Sequence, residues 1–161
     1  MKSEVKLTVP VSRDGYEVNQ LIKRCQPLDE NSVYCNLLQC DHFSQTSVIA
    51  KEGSDTVGFV SGYRVPERPE VLFVWQVAVD QRMRGTGLGT RMLKDLINRV
   101  NPDFIETTIT DENGASWALF TRFAERNNVS LKKTVHYLHH EHFNGLHDSE
   151  WLVRIGPFYD S

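Results

Sequence analysis

The chain has 161 residues, 40% of them hydrophobic and 24% charged, enough for one domain with a buried core and an ordinary soluble composition. Eighteen Lys and Arg against 21 Asp and Glu leave a formal charge of −3, and without a basic run this disfavours nucleic-acid binding through a broad cationic face. No stretch approaches the roughly 18 apolar residues of a membrane span. The segment from Met1 to Pro10 lacks a signal core, and Cys25, Cys35 and Cys40 read as reduced thiols, so a cytoplasmic protein is expected.

Val5 to Val11 opens with alternation and predicts a first strand. Ser12 offers an N-cap to a helix whose Val18, Leu21, Ile22 and Cys25 recur at i, i+3, i+4 and i+7, and Pro27 interrupts it. Asn31 or Ser32 caps a second, short helix carrying Val33, Leu37 and Leu38. Thr46 to Lys51 and Thr56 to Arg64 predict a hairpin across Glu52-Gly53-Ser54-Asp55. Val65 to Glu70 reads as a loop, because Pro66 and Pro69 withhold backbone donors.

Val71 to Val79 is apolar on both parities, which predicts a central strand covered on both faces. A helix over Gly87 to Val100 follows, with Leu88, Met92, Leu93, Leu96, Ile97 and Val100 as its buried stripe and Pro102 at its end. Phe104 to Thr110 predicts a strand and Asn113 to Glu125 a helix with Trp117, Phe120 and Ala124 on one side. Val129 to Tyr137 and Trp151 to Ile155 predict the last two strands, separated by a histidine-rich loop from Leu138 to Asp148. The order β-α-α-β-β-β-α-β-α-β-β describes a mixed α/β, or α+β, domain over residues 1–161.

The turn after the central strand carries the chemistry. Arg84-Gly85-Thr86-Gly87-Leu88-Gly89 joins a buried strand to a helix through three glycines, which admit positive φ and let a ligand approach without meeting a Cβ. The first amides of a helix lack internal partners and lie at the positive end of its dipole, so the turn suits a phosphate or diphosphate. It lacks the Lys and Ser/Thr of a nucleotide P-loop, and its G-x-G-x-G is not the dinucleotide G-x-G-x-x-G.

The spacing Arg84, Gly87, Gly89, with Val77-Ala78-Val79 before it, resembles the acetyl-CoA motif of the GNAT acetyltransferase superfamily. Asn113-Gly-Ala-Ser116-Trp-Ala-Leu119-Phe120 resembles that superfamily's N-x-x-A-x-x-L-Y segment, with Ser116 in place of Ala and Phe120 in place of Tyr. The resemblance implies a central, mixed, mostly antiparallel sheet splayed between its fourth and fifth strands, with helices on both faces. It also implies acetyl-CoA as co-substrate, touched by Val77, Ala78, Val79, Arg84, Gly85, Thr86, Gly87, Leu88, Gly89, Asn113 and Phe120. The superfamily tyrosine often protonates the leaving thiolate, which Phe120 cannot do.

Longer stretches are more specific. Leu28-Asp29-Glu30-Asn31-Ser32-Val-Tyr34, Gly58-Phe59-Val60-Ser-Gly62-Tyr63-Arg64-Val-Pro66-Glu67-Arg68-Pro69, Leu72-Phe73-Val74-Trp75-Gln76-Val77 and Gly145-Leu-His147-Asp-Ser-Glu150 resemble the diaminobutyrate acetyltransferases of the ectoine pathway. That resemblance implies acetylation of the γ-amine of L-2,4-diaminobutyrate by direct attack, without an acyl-enzyme. By position in such a fold, the Val77 amide points at the thioester oxygen, with Trp75 and Gln76 flanking the gap. Asp29, Asn31 and Tyr34 line the acceptor side, Trp75 limits side-chain length, and Glu150 or His147 takes the amine proton. Arg64 or Arg68 meets the substrate carboxylate.

Blander readings stand beside these: Asp29 as a helix cap, Tyr34 and Trp117 as core aromatics, Glu150 as a solvated strand end. His136, His139, His140, Glu141, His142 and His147 do not form a zinc pattern, so no metal is expected. A homodimer, using Trp151 to Ile155, fits the superfamily. The competing functions are acetylation of another amine (a polyamine, an aminoglycoside or a peptide N-terminus), a non-catalytic acetyl-CoA-binding module, and a metal-binding protein built around the C-terminal histidines.

Overall fold

The computed structural model describes residues 4–25 and 30–158. Four helices and a seven-stranded mixed sheet follow one another in the expected order: β1 (Val5–Thr8), α1 (Gly15–Arg24), α2 (Val33–Cys40), β2 (Val48–Glu52), β3 (Asp55–Val65), β4 (Arg68–Val79), α3 (Leu88–Val100), β5 (Phe104–Thr110), α4 (Gly114–Arg126), β6 (Ser130–Tyr137) and β7 (Glu150–Gly156). The spatial order is β1-β2-β3-β4-β5-β7-β6, which makes β4 central. The chain forms two compact units: residues 1–64 with 74–101, and residues 65–73 with 102–161.

In the first unit, β1 ends at Thr8, shorter than expected, just ahead of Pro10. Ser12 does not cap α1. It opens a single 3-10 turn (Ser12–Asp14) whose Asp14 carboxylate accepts the Val11 amide at 2.8 Å and the Lys51 ammonium at 2.7 Å. Pro27 lies outside the described residues. Ser32 does cap α2, its hydroxyl accepting the Cys35 amide at 3.0 Å. The two-residue turn between β2 and β3 places Gly53 at φ 61°, and Glu52 pairs with Asp55. Val18, Leu21, Ile22 and Cys25 of α1 cluster with Cys40, Ile49, Phe59 and Ala78. Ala78 is therefore locked into this core, and strand alternation sends Val77 and Val79 to the opposite face.

The start of α3 is pressed close to β3. A Cβ on Gly58 would meet Met92 Sδ at 3.0 Å and Leu88 Cδ2 at 3.1 Å, so glycine lets these side chains sit against the strand without shifting. The helix ends at Asn101 in the left-handed region (φ 54°), whose amide bonds Ile97 O at 2.8 Å.

The expected Val65–Glu70 loop is instead a turn at Pro66-Glu67, with β4 already begun at Arg68. Pro69 precedes the point, Val71, where β4 takes β5 as a partner, and a proline is tolerated in such a stretch. The parallel β4–β5 pairing spans only Val71–Phe73 against Phe104–Glu106. In the second unit, β7 pairs antiparallel with β5 on one side and β6 on the other.

Candidate active site

The glycine turn is built as an anion cradle. Gly85 and Gly87 have φ of 78° and 82°, and a Cβ on either would find nothing within 4 Å, so a backbone conformation open to glycine is kept beside open space. Gly87 caps α3 without a side-chain bond. The first helical bond runs from Arg91 N to Gly87 O at 3.0 Å. The amides of Gly85, Gly87, Leu88, Gly89 and Thr90 thus donate to no acceptor among the described residues. Five amides at the positive end of a 13-residue helix fit a diphosphate in number, charge and shape. The Arg84 side chain is exposed beside them.

Asp80 holds this turn to the sheet. Its amide donates to Val57 O at 2.9 Å, its Oδ1 accepts the Arg82 amide at 3.1 Å, and its Oδ2 accepts Arg24 Nη2 at 3.3 Å. Thr86 Oγ1 donates back to Met83 O at 2.5 Å. Val77 and Val79 are half-buried and Ala78 is fully buried, so the strand edge leading into the cradle is anchored on one face only.

The acceptor-side residues that the sequence proposed come together in part. Asn31 Nδ2 donates to Gln76 Oε1 at 3.2 Å, linking the segment before α2 to β4. Tyr34 is 69% exposed, which excludes the core reading for it. Asp29 lies outside the described residues. Trp75 is 40% exposed and packs edge-on against Phe43 and Tyr63, with centroids 6.0 and 5.8 Å away. Phe43 and Tyr63 come from the stretch after α2 and from β3, and no sequence spacing announces their convergence on Trp75.

In the second unit, Asn113 caps α4, its Oδ1 accepting the Ser116 amide at 3.2 Å. Phe120 is 2% exposed in the α4 core. Trp117 is half-buried: its Nε1 donates to Thr110 O at 2.9 Å, and Lys133 Nζ stands 5.3 Å from its ring centroid. Glu150 opens β7, half-buried, opposite Thr110 and Tyr137. His147 Nδ1 lies 2.7 Å from Asp148 O. His139 Nδ1 lies 2.6 Å from His147 O, and His142 Nδ1 accepts the Leu138 amide at 2.8 Å. These rings brace the loop, and among the described residues no three His, Cys, Asp or Glu are placed to hold a metal.

The two arginines expected at a substrate carboxylate are engaged elsewhere. Arg68 forms a fork on Glu106, with bonds of 2.8 and 3.0 Å, and Arg154 adds a third at 2.9 Å. Arg64 Nη2 donates to Val100 O at 2.7 Å, at the carbonyl end of α3.

No cysteine is set up as a nucleophile. Burial raises the Cys25 thiol, with Asp80 adding to the shift, and its Sγ lies 3.3 Å from Val79 O. Burial also raises Cys35 and pushes Cys40 up to about 12. All three therefore stay protonated near neutral pH.

Residues 16–124 match the acetyltransferase (GNAT) family. The chain is 52% identical over 157 residues to an L-2,4-diaminobutyric acid acetyltransferase of Methylotuvimicrobium alcaliphilum, covering 96% of this chain and 91% of that protein. It is 42% identical to the protein of that name from Halomonas elongata, covering 92% and 79%. The solved structure of diaminobutyrate acetyltransferase EctA from Paenibacillus lautus, in complex with L-2,4-diaminobutyric acid and coenzyme A, superposes with a TM-score of 0.92. That protein is 41% identical, and the match covers 99% of this chain and 98% of that one. The ribosomal-protein-S18-alanine N-acetyltransferase of Escherichia coli, at 12% identity and a TM-score of 0.72, shares the fold. This chain therefore belongs to the GNAT acetyltransferases and, within them, to the L-2,4-diaminobutyric acid acetyltransferase family.

Proposed function

We propose that the protein transfers the acetyl group of acetyl-CoA to the γ-amine of L-2,4-diaminobutyrate, giving the Nγ-acetyl product used in ectoine biosynthesis. The observation that carries this is the cradle before α3: five unpartnered amides and two left-handed glycines facing open space, in a chain 52% identical to a diaminobutyric acid acetyltransferase. Residues 1–161 act as one acetyltransferase domain, a reading supported by a family match that runs through both compact units.

The amides of Gly85, Gly87, Leu88 and Gly89 hold the diphosphate, Arg84 adds charge, and Thr86 fixes the turn. Asn113 completes the cofactor set, whereas the Phe120 ring, 2% exposed, stays packed in the core. When bound, acetyl-CoA supplies the acetyl thioester. The Val77 amide donates to the thioester oxygen as negative charge develops there, a contribution of about 3 kcal/mol for one prealigned donor, while Ala78 and Val79 keep the strand edge in place. Asn31, Gln76, Tyr34 and Asp29 bind the amino acid, and Trp75 sets the reach of its side chain. Glu150, or His147, removes the proton that the amine must lose before it attacks. The raised thiols support direct transfer.

The same reading includes a cytoplasmic homodimer. Among the described residues no helix is long and apolar enough to cross a membrane. The edge strand β6 exposes Val135 and Tyr137, which supports a second copy there. β7, expected to serve as the contact, has a strand on each side. The deciding experiment is NMR identification of the acetylated nitrogen in the product from diaminobutyrate and acetyl-CoA. Acetate on the α-nitrogen, or no product, defeats the proposal.

A further inference from the structure

Between α1 and α2 lie three uncharged amides that the core nearly seals: Asn19 at 2% exposure, and Asn36 and Gln39 at 0%. They form one chain. Asn19 Nδ2 donates to Asn36 Oδ1 at 3.0 Å, and Asn36 Nδ2 donates to Gln39 Oε1 at 2.9 Å. Asn19 Nδ2 also donates to the backbone carbonyl of Asn31 at 3.0 Å. Asn31 in turn reaches Gln76 on β4. The two ends of the chain, Asn19 Oδ1 and Gln39 Nε2, are buried without a partner among the described residues.

Such a chain is a poor way to stabilise two packed helices. Each unpaired buried polar atom costs about 1–3 kcal/mol, and apolar side chains of similar volume fill the same space without that cost. What the amides do that leucines cannot is grip a carbonyl. Asn31 stands in the segment entering α2, where helix bonds do not hold it: the first bond of α2 runs from Asn36 N to Ser32 O. A fixed donor behind Asn31 O sets the direction of its side chain toward Gln76, one residue before Val77 on β4.

We infer that Asn19 is a positioning residue for the amino-acid substrate, holding Asn31 against Gln76 from within the core, with Asn36 and Gln39 orienting the Asn19 amide. This rests on the proposed diaminobutyrate activity and names a determinant of substrate binding that lies away from the substrate itself.

The test is steady-state kinetics, with thiol release as readout, on the whole chain carrying Asn19→Leu or Asn36→Leu. Asn19→Leu raises KM for diaminobutyrate about tenfold and leaves KM for acetyl-CoA within about twofold, because the cradle is untouched. Asn36→Leu, equally buried but not touching Asn31, raises it no more than about threefold. A merely structural role lowers the melting temperature in both variants and moves neither KM, and that result overturns the inference. If circular dichroism shows that Asn19→Leu does not fold, Asn19→Asp, which keeps the shape and removes the donor, decides by the same KM. A wild-type protein inactive on diaminobutyrate defeats the proposed function instead, so the two failures are distinguishable.

Discussion

Arg68 clasps Glu106 through both of its terminal nitrogens, at 2.8 and 3.0 Å, and the carboxylate it holds is only 2% exposed. Burial alone drives the Glu106 carboxyl upward. Hydrogen bonds and charge from Arg68, reinforced by Arg154, outweigh burial and leave it below its ordinary value. A lowered folded-state value means that the pair's stabilisation is complete above the unfolded carboxylate range and is lost as pH falls through the folded value. Glu106→Gln should cost about 2 kcal/mol at pH 7, less than a fully buried pair because both arginines keep contact with water. Urea unfolding should show the gap between variant and wild type closing as the pH is taken well below 4. A gap that persists there contradicts this account.

Gly87→Ala tests the cradle. The new methyl meets no protein atom within 4 Å, but it must sit at φ 82°. The fold should survive with a loss of about 1–2 kcal/mol. Calorimetry should find coenzyme A bound at least about tenfold more weakly, roughly 1.4 kcal/mol. Unchanged affinity rules out the phosphate role for this turn.

Phe120→Tyr restores the hydroxyl usual in the superfamily. At 2% exposure the ring has little access to water, so the added group should destabilise the protein by about 1–3 kcal/mol without raising kcat. A rise in kcat of tenfold or more is the contrary result, and thermal melts run beside the kinetics separate the two effects.

Glu150→Gln should lower kcat by about two orders of magnitude, the usual worth of a general base, with KM for acetyl-CoA little changed. His147→Gln is its companion measurement. Whichever substitution flattens the rise of kcat with pH identifies the base.

Alkylating reagents should leave turnover intact at pH 7.5. Burial raises all three thiols, and Cys40 to about 12. Loss of activity in proportion to labelled Cys25 or Cys40 argues against direct transfer.

Much of this could be read from the residues because periodicity and chemistry agreed. β5 occupies Phe104–Thr110, the span expected for it, and α3 begins one residue after its glycine cap. The Pro66–Pro69 segment reads as a loop although β4 begins at Arg68, since a proline in the opening of a strand looks the same in sequence as one in a loop. Ser12 looked like a cap because the competing demands on Asp14, from the Val11 amide and Lys51, come from the folded chain. Arg68 pointed to a substrate only while its partner, 38 positions away, was out of view. Asn19, Asn36 and Gln39 were invisible for a deeper reason: polar residues on amphipathic helices are assigned to solvent, and only packing reveals the ones turned inward.

β7 is the strand that the sheet closes around. β7 inserts between β5 and β6, and its six pairs with β5 and seven with β6 are what tie those strands together. During synthesis, then, β5 and β6 each present a bare edge until β7 is available to pair with them. A chain halted before Glu150 keeps the cradle's entire sequence yet carries two sticky borders where the intact protein has an interior, so its fate is aggregation or proteolysis.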